Sequence, residues 1–416
     1  MIRRNFLKTS GLLSLAPSVP RFVNRLATQA EAKTDEKILV VIEMNGGNDG
    51  INTIVPHKDP EYAKLRPKLK LDPLRLHRIN DEMAFHSAMR RSKEQFDAGE
   101  LSIINGVGYP NPNRSHFASL EIWHRGLQDG KRESGAGWLG SALDLARDPA
   151  SPSMDGYFVG TQSVSAAMVS RRAQVAALSR FQDLKLDPFI KPIDANANSD
   201  VASFVQRQVA NAYATSRQIE SVTKQAGSSG FSSDKLSQQM KLISQLIKSG
   251  SGARVYYTVQ GGYDTHSIQL NSHADLLFSL SRAMKSFVDD LKKNGLADRV
   301  VVVAFSEFGR RVSENASLGT DHGTAGPVFL AGTKIKPGFH GIQRRYPIWR
   351  TVISRVKLIF NKCTHRCWIT GWAFRVSRCC KESMSRWICL ANNGNLPIRL
   401  RPRKRIKNGS ANALPI

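Results

Sequence analysis

KILVVIEM, residues 37–44, is an unbroken apolar run that gives way abruptly to the polar, glycine-rich NGGNDG of 45–50. Its hydrophobicity is continuous rather than alternating, which is what a strand buried on both faces requires. Three further runs share this character: LSIINGVG (101–108), RVYYTVQ (254–260) and RVVVVAFS (299–306). A shorter fifth is PVFLAG (327–332). Between the third and fourth, residues 271–295 repeat Leu276, Leu277, Leu280, Met284, Phe287, Val288 and Leu291 at three-to-four spacing and stop at Gly295. That is an amphipathic helix with its terminator. Strand, helix and strand in this order predict an α/β fold with a helix-covered, largely parallel sheet and a right-handed crossover. The stretch of about 140–250 is less regular. Residues 199–225 and 232–250 read as helical and are joined by AGSSGFSS (226–233), so this stretch is expected to be a helical insertion that covers the sheet or caps a cleft.

At 416 residues the chain can bury a full core, in one large α/β domain or in two or three smaller ones. The net charge of +26 suggests a polyanion partner, but its distribution argues otherwise. The last 73 residues hold 17 Lys and Arg against one acid, Glu382, and so carry +16, which leaves +10 for the other 343. All five cysteines (Cys363, Cys367, Cys379, Cys380, Cys389) lie in the same tail. The cysteine-free body fits an oxidising compartment. At the other end, MIRRNFLKTSGLLSLAPSVP sets Arg3 and Arg4 ahead of an apolar run too short and polar to span a bilayer. Residues 1–32 are therefore read as a twin-arginine signal peptide, with ATQAEA (27–32) offering small residues for cleavage. The expectations are export by the twin-arginine (Tat) machinery, a periplasmic location and no integral membrane span.

The polar loops fall in a consistent place. NGGNDG follows the first run, YPNPNRSHF the second, GGYDTH the third and SEFGRR the fourth, while GTDHGTAG precedes the fifth. Open α/β sheets bind ligands beyond the carboxyl ends of their strands. Those loops would bring Asp49, Ser115, His116, Asp264, His266 and Glu307 to one rim, with Asp321 and His322 close by. Carboxylates and imidazoles together are the ligand set of zinc, manganese or iron, and of mixed sites with magnesium. Close-set carboxylates also demand a cation, since they otherwise repel or take up protons. Each residue has a plainer alternative: a turn for Asp49, a helix cap for Asp264 or Ser115, an ion pair with Arg310 or Arg311 for Glu307.

The motifs VVIEMNGGNDGINTIVP, NRSHFASLEIWHRG, GGYDTH, SEFGRRVSENASLGTDHGTAGPVFLAG and KPGFHG resemble, in order and spacing, the bacterial exported family called domain of unknown function 1501. That family is similar to the alkaline phosphatase and sulfatase superfamily. The resemblance implies a three-layer, alkaline-phosphatase-like α/β/α sandwich over residues 37–342, with a divalent metal at the strand ends. Zinc is first choice, with magnesium, manganese or calcium as alternatives. It implies Asp49, Asp264, His266, Asp321 and His322 as ligands. Glu307 joins them as a candidate, because SEFG stands where the superfamily often has Asp-His. The implied nucleophile is Ser115, ahead of the helical FASLEIW, with Thr53 second. Beside it, Arg114 and His116 are candidates to bind an anionic oxygen of the substrate, with packing as the alternative. The expected function is hydrolysis of a small phosphate or sulfate ester, and the alternative is a non-catalytic envelope protein that keeps the fold.

The tail from Arg344 suits none of this. Its cysteine spacings form no zinc knuckle, and RLRPRKRIK would bind phosphate backbones that an exported protein rarely meets, so no nucleic-acid partner is expected. With a suitable choice of synonymous codons, regrouping in a shifted frame allows an acidic, cysteine-free reading. Residues 344–416 are therefore expected to be a frameshifted, non-native tail, with an insertion or deletion in the gene near Gln343.

Overall fold

A computed structural model describes residues 37–109, 111–126, 135–148, 154–179 and 230–341, together with two short pairing segments at 368–369 and 372–373. The expected signal peptide, the helix of 199–225 and nearly all of the tail lie outside the described residues. The strands are β1 (Ile38–Met44), β2 (Ile54–Val55), β3 (His77–Arg78), β4 (Ala84–Phe85), β5 (Leu101–Val107), β6 (Gly156–Val159), β7 (Val175–Leu178), β8 (Val255–Gln260), β9 (Val300–Phe305), β10 (Gly326–Ala331) and β11 (Gly338–Gly341). The helices are α1 (Gly50–Thr53), α2 (Pro60–Leu65), α3 (Arg90–Asp97), α4 (His116–Arg125), α5 (Trp138–Ala146), α6 (Lys235–Lys248) and α7 (Gln269–Lys293).

Eight strands form one sheet in the order β11-β5-β10-β9-β1-β8-β6-β7. All pairings are parallel except those of β10, which runs against both β9 and β5. All five runs read as strands are strands, so the predicted α/β, largely parallel sheet is present. The exception follows from the connection. The link from β9 to β10 holds no crossover helix, so the chain turns back antiparallel.

Both faces of the sheet are covered. Ile38, Val40, Ile42 and Met44 point into one apolar cluster with α6 and α7, through Met240, Ile243, Leu280 and Phe287. Val41 points the other way, into a second cluster with Leu139 and Leu143 of α5 and with Trp123 of α4 packed against it. This is the three-layer α/β/α arrangement, and it explains why the strand sequences are apolar throughout rather than alternating. The helical reading of 140–250 is corrected. Helix α6 is there, but β6 and β7 from the same stretch extend the central sheet. At four residues each, GYFV and VAAL are too short for periodicity to separate strand from helix. Among the described residues no helix is long and apolar enough to cross a membrane.

Candidate metal centre

The C-terminal ends of the parallel strands make one rim. β1 delivers Asn45 to Asp49 there, β5 the segment reaching Ser115, β8 the segment reaching His266, and β9 Ser306 to Arg310. Because β10 runs the other way, the residues ahead of it, including Asp321 and His322, reach the same rim. Small residues allow the close approach. A Cβ on Gly319 would lie 2.2 Å from the His266 carbonyl carbon, and one on Gly323 2.4 Å from that of Arg310. The glycines bracketing Asp321 and His322 thus let their loop lie directly on two others. Arg310 ties the loops together from beneath. It is buried and donates to the carbonyls of Gly47 (2.7 Å), Thr320 (2.8 Å), Tyr263 (3.1 Å) and Gly46, and to Asp264 Oδ1 at 2.5 Å.

Asp264 Oδ1 is the centre of the cluster. His266 Nε2 lies 3.0 Å from it, His322 Nε2 3.1 Å and His116 Nε2 3.5 Å. The Nε2 atoms of His266 and His322 are 2.9 Å apart. Behind each ring stands an oxygen. His322 Nδ1 donates to the Arg114 carbonyl at 2.7 Å, His116 Nδ1 donates to Glu307 Oε1 at 2.8 Å, and His266 Nδ1 lies 3.6 Å from Asp321 Oδ1. With its Nδ1 proton held by oxygen, a neutral imidazole carries a bare lone pair on Nε2. Lone pairs facing one another and a carboxylate oxygen repel unless positive charge lies among them. His116 Nε2 is itself buried without a hydrogen-bond partner. Its ligand atom and those of Asp264 and His322 all lie within 4.8 Å of one another. Orphaned nitrogen and donor chemistry both fit a divalent cation.

The electrostatics agree. The Glu307 carboxylate raises the His116 imidazole above its usual range, against the effect of burial. Burial would raise the Asp264 carboxyl, but the hydrogen bond and charge of Arg310 hold it down at about 2. Asp264 is therefore an anion wherever the protein is folded at ordinary pH.

Of the predicted ligands, Asp264, His266 and His322 come together. His116, for which the sequence left substrate binding and packing both open, lies with them. Glu307 and Asp321 are near, on the Nδ1 side of the rings, 2.8 Å from His116 Nδ1 and 3.6 Å from His266 Nδ1. Glu307 Oε1 also accepts from the Gly46 amide at 2.9 Å, and Glu307 pairs with His116 rather than with Arg310 or Arg311. Asp49 is elsewhere. Its oxygens take Arg66 Nη1 at 2.5 Å and Nη2 at 3.0 Å, and Gln269 Nε2 at 2.5 Å, and it caps α1 through the Ile51 amide. The Asp49 and Arg66 side chains are wholly buried. Burial opposes ionisation of Asp49, yet the guanidinium keeps its carboxyl below the usual range. Asp49 is thus paired with Arg66 and is not one of the residues grouped around Asp264.

Ser115 is exposed at the N-cap of α4 and its side chain makes no capping bond. Arg114 is exposed beside it. Thr53 is buried, and its hydroxyl donates to the Asp49 carbonyl at 2.7 Å, so it is no accessible nucleophile. Sequence reasoning missed Arg66 and the clamping role of Arg310. Arg310 stood in a singled-out motif, whereas LRPK around Arg66 offers no signal.

Several solved structures are similar at low overlap. A protein in the alkaline phosphatase superfamily from Vibrio parahaemolyticus shares 10% identity at a TM-score of 0.34, over 74% of this chain and 62% of its own. The lipoteichoic acid synthase LtaP from Listeria monocytogenes shares 10% at 0.34, over 75% and 67%. Alkaline phosphatase from the Antarctic bacterium TAB5 shares 11% at 0.34, over 77% and 98%. The chain thus spans less than two thirds of the Vibrio protein. No curated protein matches it in sequence. One family model, described as a protein of unknown function (DUF1501), matches residues 36–344, the whole of the sheet and rim just described, and the chain belongs to that family.

Proposed function

We propose that this rim holds one divalent cation of the zinc type and hydrolyses small phosphate or sulfate esters. One observation carries the proposal: three imidazole Nε2 atoms converge on Asp264 Oδ1, each ring backed by an oxygen. Nitrogen-rich donors suit zinc better than magnesium, manganese or calcium, which favour oxygen. His116, His266, His322 and Asp264 would hold the ion. A divalent ion there supplies Lewis-acid polarisation and favours ionised oxygen nucleophiles.

The chain's own residues do the rest. Glu307 and the Arg114 carbonyl keep the protons of His116 and His322 on Nδ1, leaving both Nε2 atoms as donors. Ser115 is the nucleophile of this reading. Its hydroxyl is exposed and unspent on capping, so the first amides of α4 remain open to an anionic oxygen of the substrate. Arg114 adds an exposed positive charge beside them. Export through the twin-arginine machinery to the periplasm belongs to the same proposal, supported by Arg3 and Arg4 ahead of a short apolar run.

A second reading, a non-catalytic envelope protein that keeps the ion, is favoured by one feature. The Ser115 side chain has no hydrogen bond to a general base among the described residues. Metal analysis with turnover of aryl phosphate and aryl sulfate esters separates the two. Turnover that falls at least a hundredfold in Ser115→Ala supports the hydrolase; tight metal with no turnover of either ester supports the second reading.

A further inference from the structure

Two backbone oddities stand beside the metal centre. Among the described residues three non-glycine residues have positive φ: Asn111 at 49°, Ile268 at 43° and Leu318 at 58°. Asparagine tolerates this region, whereas a β-branched isoleucine and a leucine are strained there. Strain of this kind costs on the order of 1–3 kcal/mol per residue and needs a compensating gain. The core does not supply it: Ile268 is 73% exposed and Leu318 45%. The two are locked to each other, since the Ile268 amide donates to the Ser317 carbonyl at 3.0 Å and the Gln269 amide to the Leu318 carbonyl at 2.9 Å. They lie two residues after His266 and three before Asp321. On the His116 side stands Phe117, 89% exposed in the first turn of α4. The Arg114 carbonyl on His322 ties that turn to the loop of Leu318. Large exposed apolar residues thus stand next in the chain to the residues of the cluster on two loops and one helix turn, and at Ile268 and Leu318 asparagine would fold more easily.

We propose that Phe117, Ile268 and Leu318 form an apolar collar that selects esters whose anionic group is joined to a hydrophobic alkyl or aryl body. The inference rests on the ester-binding reading of the metal centre and narrows it to amphiphilic substrates. The charge pattern matches: Arg114, the α4 N-terminus and the ion for the anionic head, the collar for the body. A small hydrophilic ester would leave the collar wet.

The test is calorimetric binding of a series of n-alkylphosphonates, methyl to octyl, to the metal-loaded full chain. Affinity is expected to rise about two- to fourfold per methylene, as partial to full burial of each group requires. In the double variant Ile268→Asn/Leu318→Asn that slope is expected to flatten while thermal stability rises, because asparagine relieves the backbone. Phe117→Ser should flatten it independently. A flat series in a protein that binds methylphosphonate overturns the collar and leaves the metal-site reading standing. No binding by any phosphonate, in protein that holds metal, overturns both. A wild type that dimerises while the double variant stays monomeric gives the apolar face to a second copy and also overturns the collar.

Discussion

At the scale of single residues, the proposed function separates groups that would hold the ion from groups that position them. Glu307 meets His116 at its Nδ1, away from Asp264, so Glu307→Gln keeps a hydrogen-bond partner but removes the charge behind the ring. Loss of such a partner typically weakens a metal site 10- to 100-fold. That range is the expected outcome in a competition titration against a chelator, with folding unchanged. Acid sensitivity belongs to other residues. Burial drives the imidazoles of His86 and His273 down to about 4 and about 3, while unfolded histidine titrates near 6.5. Between those values the unfolded chain binds more protons than the folded one, so stability is full above about pH 6.5 and drains away as pH falls towards 4. For His86 alone the loss is about 3 kcal/mol. His273→Gln, which keeps a donor for Asn48 Oδ1, is predicted to shift the acid unfolding midpoint downward in urea melts across this window. The same scale explains what sequence left illegible. Asp49 and Asp264 both follow a glycine-rich turn at a strand end, and only the fold reveals that Arg66 reaches one and Arg310 with three imidazoles reaches the other.

At the scale of elements, the site depends on β10 running backwards and on α4 being pinned to the sheet. The Trp123 indole of α4 donates to the Glu307 carbonyl at 2.8 Å, and His124 pairs with Glu43 of β1 at 2.7 Å. The C-terminal turn of the helix that begins at His116 is thereby fixed to the sheet. Gly323→Ala places a methyl where Arg310 backbone stands, in a loop that has no slack. A cost of about 1–3 kcal/mol is expected, with weakened metal binding because His322 must move with its loop. A thermal melt and a metal titration check both; an unchanged affinity would mean the loop is not tied to the centre. Long elements with strong periodicity, such as β9 and α7, were readable in the sequence. The four-residue strands β6 and β7 were not, because their burial comes from neighbours on each side and leaves no pattern of its own.

At the scale of the molecule, the largely parallel sheet and its two apolar layers are what continuous hydrophobic strands imply, and the family match ends at residue 344, where the basic, cysteine-bearing tail begins. A chain cut after residue 343 is predicted to bind metal as the full chain does and to lose any heparin affinity. Sequencing the gene across codons 335 to 360 is predicted to reveal an insertion or deletion. With Asp49 paired to Arg66, the described residues able to hold a metal ion form one group, and the proposal of a single ion rests on it. The most direct measurement is therefore metal content by elemental analysis of the full chain purified without chelator, beside folded Asp264→Ala and His322→Ala. The account predicts about one zinc-type ion per wild-type chain and close to none in either variant. Folded wild type without metal, or variants that keep it, would contradict it.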